Sequence, residues 1–392
     1  MKKDLASMNA IRLLILALLA SSTTSCSRGD KEVAGRSLVS TTATLVREVR
    51  AQEPDPPLGA YTSFIAVASN GSFFITDIDR GRIVAFDPAG SVTRSFGSLG
   101  GGPGEFSLAA TPEVIGDTLL AVADVNANSL MLFDVRNGQY MRTVKLAGFR
   151  NLAGDWSYAG DTAYFATLDA GGVLGVWPMV NDTARLRGEL PAEYRSGRPR
   201  GLVRRYGRIG IAPTSEGFAV HLPTEDGVRR LSLGGEVGPL IGIPARHRRG
   251  IPPELVQLKA NTSRSRTTNF PLASFNTGLA RRGDGLLVAY HWEFDHDPKS
   301  KGSESGGGPG MTNLRLFATL IKPALDSACI DIRIPIETDI PPFPVTRGDT
   351  TFVFTRSVNV AQGTVNSRLV AFRADPRSCQ WEPIGGAPPR QQ

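Results

Sequence analysis

The chain has 392 residues, a formal net charge of +7 and a hydrophobic content of 41%, enough apolar surface for a large core. Its 43 glycines and 27 prolines favour many turns over long helices, yet stay below the ~25–30% share at which disorder becomes the default. The positive charge is concentrated in two arginine clusters in which Tyr206 is the one interleaved aromatic, which argues against nucleic acid as a partner.

The N-terminus reads as an export signal over residues 1–25. Lys2, Lys3 and Arg12 supply a basic region, and Ile11–Ala20 (IRLLILALLA) an apolar one, well short of the ~20 residues that span a membrane. No second run of that kind follows, so no transmembrane helix is expected. Cys26 comes next, in Thr23-Thr24-Ser25-Cys26-Ser27. This resembles a bacterial lipobox, although Thr23 stands where Leu is usual; lipidation at Cys26 is expected, with cleavage after Ser22 as the alternative. By resemblance to the sorting rule for such proteins, Ser27 directs the product to the outer membrane, facing the periplasm or the surface. Without lipid it would be a soluble periplasmic protein.

Residues 26–35 form a polar tether. A strand follows over 36–50, with Val39, Leu45, Val46 and Val49 among Thr and Arg, and the Pro-rich Glu53–Pro57 breaks it from the rest. From there one pattern recurs six times. A tight glycine turn (Asn70-Gly71, Gly116-Asp117, Gly160-Asp161, Glu216-Gly217, Asp284-Gly285, Gly348-Asp349) precedes an apolar strand such as FFITD (73–77) or LLAVAD (119–124). A further strand such as RIVAFD (82–87) or SLMLFD (129–134) comes next. Four-stranded units at such spacing are the sequence sign of a β-propeller. The expected fold is all-β: a six-bladed β-propeller of four-stranded antiparallel blades over 36–392, closed by the N-terminal strand at 36–50. Two insertions stretch the later units, near 244–270 and 295–311, the first with a short helix from Pro252.

The stretch Ser95–Asp134, with Gly102-Pro103-Gly104-Glu105-Phe106 and Ala123-Asp124 to Phe133-Asp134, resembles an NHL repeat. The whole chain is similar to the six-bladed propeller lipoproteins of Gram-negative bacteria. That resemblance implies the fold and an envelope address, and little about the ligand. In the glycine run the chain has to pass from one blade to the next, with Phe106 buried between blades and Glu105 capping backbone N–H groups. No Lys-Ser/Thr follows, which excludes a phosphate-binding loop.

Candidate chemistry is sparse. His291, Glu293 and Asp295 fall on one face of a strand by alternation, and imidazole with two carboxylates could hold a divalent cation. Otherwise this is a strand running out into a polar loop, and no cofactor is expected. No nucleophile elbow or Ser/His/Asp set can be assembled. Asp77 and Asp124 end equivalent strands and read as turn caps, and Trp156, Trp177, Trp292 and Trp381 read as blade core before a carbohydrate site. The arginine clusters at 195–208 and 246–249 suit an anionic surface or polysaccharide. Cys329 and Cys379 sit at corresponding places in neighbouring units, which would diverge beyond bridging distance, so two free thiols are expected. The reading is a monomeric binding or interaction module for an envelope ligand or protein. Its alternative is a metal-dependent hydrolase or lyase at the channel mouth.

Overall fold

The computed structural model describes residues 41–59, 62, 64–147, 155–169, 172–189, 191, 209–223, 225–244, 274–296, 311–336, 338, 342–359 and 364–385. The export signal, Cys26, the tether, both arginine clusters and the bodies of both insertions lie outside these residues. The chain enters with β1 (Thr44–Ala51) and then builds antiparallel meanders. The first is β2 (Ile65–Val67), β3 (Phe73–Asp77), β4 (Arg82–Phe86) and β5 (Val92–Phe96). A two-stranded parallel pair, β6 (Ser98–Leu99) and β7 (Glu105–Phe106), brackets the glycine loop. The second meander is β8 (Ala109–Ile115), β9 (Leu119–Asp124), β10 (Ser129–Asp134) and β11 (Tyr140–Ala147). The third is β12 (Trp156–Ala159), β13 (Thr162–Asp169), β14 (Gly172–Pro178) and β15 (Thr183–Arg187). The fourth is β16 (Gly210–Thr214), β17 (Gly217–His221), β18 (Gly227–Leu231) and β19 (Val237–Gly242). The fifth is β20 (Ser274–Arg281), β21 (Leu287–His296), β22 (Met311–Ile321) and β23 (Ser327–Ile334). The sixth is β24 (Val345–Arg347), β25 (Thr350–Asn359) and β26 (Thr364–Arg373), followed by β27 (Glu382–Pro383).

Sheet for sheet, this differs from six separate blades. The first, fourth and sixth meanders are each one four-stranded sheet, and the fifth gains β27 as a fifth strand. The second and third are fused into one eight-stranded sheet, because β11 and β15 pair in parallel through Lys145–Thr183, Leu146–Ala184 and Ala147–Arg185. Such rim pairing satisfies two exposed strand edges at once.

The glycine turns sit where the repeat places them, between the first and second strands. Gly71, Gly116, Gly160, Gly217, Gly285 and Gly348 all have positive φ, the region that L side chains resist. The strands after them are apolar without alternation because both of their faces are covered. Leu120 and Val122 pack toward the first meander with Phe74 and Ile83, while Ala121 and Ala123 pack toward the third with Phe165 and Trp177. Similar apolar clusters lie between every two successive meanders, and one joins the sixth to the first through Phe354, Leu369, Phe73 and Ile75.

A second repeat holds the rim. At each junction an arginine donates to a carbonyl in the turn after the third strand of the next meander. The pairs are Arg47 to Pro88, Arg94 to Arg136, Arg142 to Met179, Arg187 to Leu233, Arg230 to Ala324 and Arg282 to Ala374. The first four stand on outer strands, β1, β5, β11 and β15.

β1 lies antiparallel along β26, from Thr44 opposite Arg373 to Ala51 opposite Ser367, and is the outer strand of the sixth meander. The segment after β26 is therefore free to leave that meander. It crosses to the fifth, where β27 pairs with Ser327 and Ala328 of β23. This overturns the expectation of two free thiols: Cys329 and Cys379 form a disulfide with Cα atoms 5.6 Å apart. The two cysteines are not in corresponding places. Cys329 is on an outer strand, where β5 and β11 carry Arg94 and Arg142, and Cys379 is in the turn that such an arginine would grip.

Candidate functional site

The polar face of β21 has two described members. His291 and Glu293 are opposite Asn276 and Ser274 on β20, and both are buried, at 4% and 2% exposure. His291 stacks on Phe317, ring centroids 5.2 Å apart, and its Nε2 lies 3.7 Å from an Asp331 carboxylate oxygen. Asp331 comes from β23 and reaches inward because its backbone is left-handed, φ 59. Glu293 is directly opposite Arg315 on β22; the register then slips before Asp295 meets Thr312, the extra residue being accommodated at Asn313, φ 52. The Asp295 side chain lies outside the described structure. Among the described residues, no three His, Cys, Asp or Glu side chains stand together as a metal site. Asn276, beside His291, donates to the Leu222 and Glu225 carbonyls of the fourth meander at 2.6 and 2.8 Å. This face is thus a junction between meanders.

The inner strands meet closely on one side of the axis. β20 bulges between Asn276 and Gly278, and the Leu279 N–H donates to Asp155 of the third meander at 2.7 Å. Gly210 of β16 fits against the same place, since a Cβ there would stand 2.3 Å from the Leu279 side chain. Backbone fills the space between the third, fourth and fifth meanders at this level. Near the glycine turns, Arg347 of β24 reaches Asp117 of the second meander at 2.6 Å. Asp117 also accepts the Ser69 N–H at 2.9 Å. The Ser69 hydrogen bond, with help from Arg347, holds the Asp117 carboxyl below its usual range. Burial, then the Glu113 carboxylate, pushes the Tyr158 phenol well up, while Arg347 pulls it back. These groups tie inner strands together.

Other singled-out residues are structural. Asp124 accepts backbone N–H groups of Ser107, Leu108 and Ala127, and Asp77 that of Gly59 together with Arg82. Phe106 is fully buried between the first two meanders, and Glu105 takes the Gly102 N–H at 2.9 Å. Trp177 and Trp292 are buried, their indole N–H groups on the Asn181 and Pro342 carbonyls. Trp156 packs on Phe165, and Trp381 lies under Lys322.

An open cleft of about 700 Å³ lies elsewhere, between the glycine loop and the outer half of the second meander. Pro103, Met131 and Tyr140 give it apolar walls, and Asn128, Thr143 and Lys145 a polar rim. The Tyr140 and Thr143 hydroxyls are 2.8 Å apart. The β11–β15 join forms its far end, with Lys145 beside Thr183. In the sequence the glycine loop carries the mark of a connection between blades alone. Its partners across the cleft run from Ala127 to Thr183 and share no motif.

No protein-family model matches the chain, and no curated protein matches it. Among solved structures, a member of the DUF4221 family from Bacteroides vulgatus has a TM-score of 0.57 at 8% identity, covering 89% of this chain and 99% of that one. A protein of Bacteroides fragilis inferred to be exported has a TM-score of 0.51 at 13% identity, covering 85% and 95%. At such identities the likeness is one of fold. The chain is an all-β protein of propeller-like architecture.

Proposed function

We propose that the chain is an exported, lipid-anchored six-bladed propeller that binds a ligand at the cell envelope. The blade count treats the eight-stranded sheet as two blades joined at their outer strands. It is supported by the six glycine turns, the closed circuit of apolar clusters and the six arginine contacts. The N-terminal signal with Cys26 supports export and anchoring to the outer membrane, and the exported character of the B. fragilis structure agrees with it. In this reading the arginines at 195–208 and 246–249 would meet an anionic surface or polysaccharide.

One observation carries the binding reading. The described histidine and carboxylate side chains of β21 serve a junction between meanders, whereas the 700 Å³ cleft is an open concavity among the described residues. Clefts of ~300–1,000 Å³ with apolar walls and a few polar groups suit small ligands. The competing reading, a metal-dependent hydrolase or lyase, needs His291, Glu293 and Asp295 as cation ligands. The exported protein, incubated with a small-molecule extract of the cell envelope and re-isolated, should retain a compound identifiable by mass spectrometry. It should carry no stoichiometric metal and turn over no lactone or phosphoester. Bound metal together with turnover, lost in a Glu293→Ala, Asp295→Ala variant, would establish the competing reading instead.

A further inference from the structure

We infer that the rim cleft takes an amphipathic monocarboxylate, an apolar body carrying one acid group. This assignment rests on the binding reading above and names its ligand class. Among the described residues, Lys145 is the one charged side chain on the cleft's lining. It is exposed and makes no ion pair among the described residues. Its backbone does not drift, because its N–H donates to the Asp182 carbonyl at 2.8 Å and β15 pairs beside it. An ammonium carried on this held strand at the end of an apolar trough selects an anion there through a charge-assisted hydrogen bond.

The neighbouring hydroxyls agree with an acid group. Tyr140 and Thr143 bring two O–H protons and use one between themselves, so one remains to donate to a ligand. Donors from Lys145 and from this pair suit the two oxygens of a carboxylate. A divalent cation does not fit, since no carboxylate lines the cleft among the described residues, and a polyphosphate would call for more than one positive charge. The ligand's apolar body would lie along Met131, the Tyr140 ring and Pro103, under the glycine loop. Gly101 faces open space there, with no atom within 4 Å of where its Cβ would be. Gly101 lines the cleft, so a large side chain at this position would narrow it.

The test is calorimetric titration of the exported protein with decanoate and with its neutral methyl ester, in the native chain and in Lys145→Gln and Gly101→Phe variants. Decanoate should bind more tightly than the ester. Lys145→Gln should weaken decanoate about tenfold, the size expected for a lost hydrogen bond to a charged group, and leave the ester unchanged. Gly101→Phe should abolish both. Equal affinity for acid and ester would overturn the carboxylate assignment, as would failure to bind either probe. Unchanged decanoate binding in both variants would place the site elsewhere. If Gly101→Phe does not melt cooperatively, the Lys145→Gln comparison decides alone. An envelope compound retained equally by the native protein and both variants would overturn the cleft while leaving the binding reading intact.

Discussion

Tyr290 shows how much a single side chain contributes to a junction. It is buried on β21, and its hydroxyl lies 2.6 Å from the Thr346 hydroxyl and 2.7 Å from that of Thr351, both in the next meander. Burial pushes its phenol up to about 12, against the pull of those hydrogen bonds. An unfolded chain would ionise this group near 10. Its contribution to stability is therefore complete below about pH 10 and is lost as pH rises through about 12. Tyr290→Phe should cost about 1–2 kcal/mol at neutral pH and flatten the alkaline limb of a denaturation curve; an unchanged limb would place the alkaline weakness elsewhere. At this scale the sequence was half legible. Strand alternation was enough to put His291 and Glu293 on one face. It could not supply Asp331, which sits 40 residues later and turns inward through a left-handed backbone that no motif marks.

Between elements, the glycine turns were readable because a tight turn at positive φ admits few residues. The rim was not. Arg47, Arg94, Arg142 and Arg187 recur at nearly the spacing of the turns, yet arginine is common on exposed strands and nothing local distinguishes these four. The fused eight-stranded sheet was equally hidden, since parallel pairing of two outer strands depends on how the meanders sit and not on their composition. Close backbone approach at the rim gives a test. Gly188 and Gly235 touch across the third and fourth meanders, and a Cβ on Gly235 would stand 2.4 Å from the Gly188 nitrogen at a φ of +93. Gly235→Ala should destabilise the protein by at least roughly 1–3 kcal/mol, measured by urea denaturation. The same change at Gly160, whose φ is +56 but whose surroundings are open, should cost less; equal losses would mean that strain alone, without the contact, sets the cost.

At the scale of the whole molecule, the N-terminal strand completes the sixth meander, and Val49 and Ala51 enter the core between it and the first. Deleting residues 36–50 should abolish a cooperative melting transition, whereas deleting 27–34 should leave it intact. Similar melting curves for the two would refute the closing role of β1. The C-terminal tail then covers the fifth meander's outer edge and is fixed by Cys329–Cys379. Five joints of this ring use groups that are complete as soon as the chain folds. The sixth adds a covalent bond that forms where thiols are oxidised and not in the cytosol. If the chain is exported as proposed, a precursor held inside the cell keeps the two thiols unbridged, and translocation closes the bond. A leaderless version made in the cytosol should be trimmed by added protease within residues 374–385 faster than the exported form, and Cys329→Ser should make the exported form behave like it, at a loss of about 2–4 kcal/mol. If all three are cut at one rate, the tail is held by β27 alone and the seal has no role in maturation.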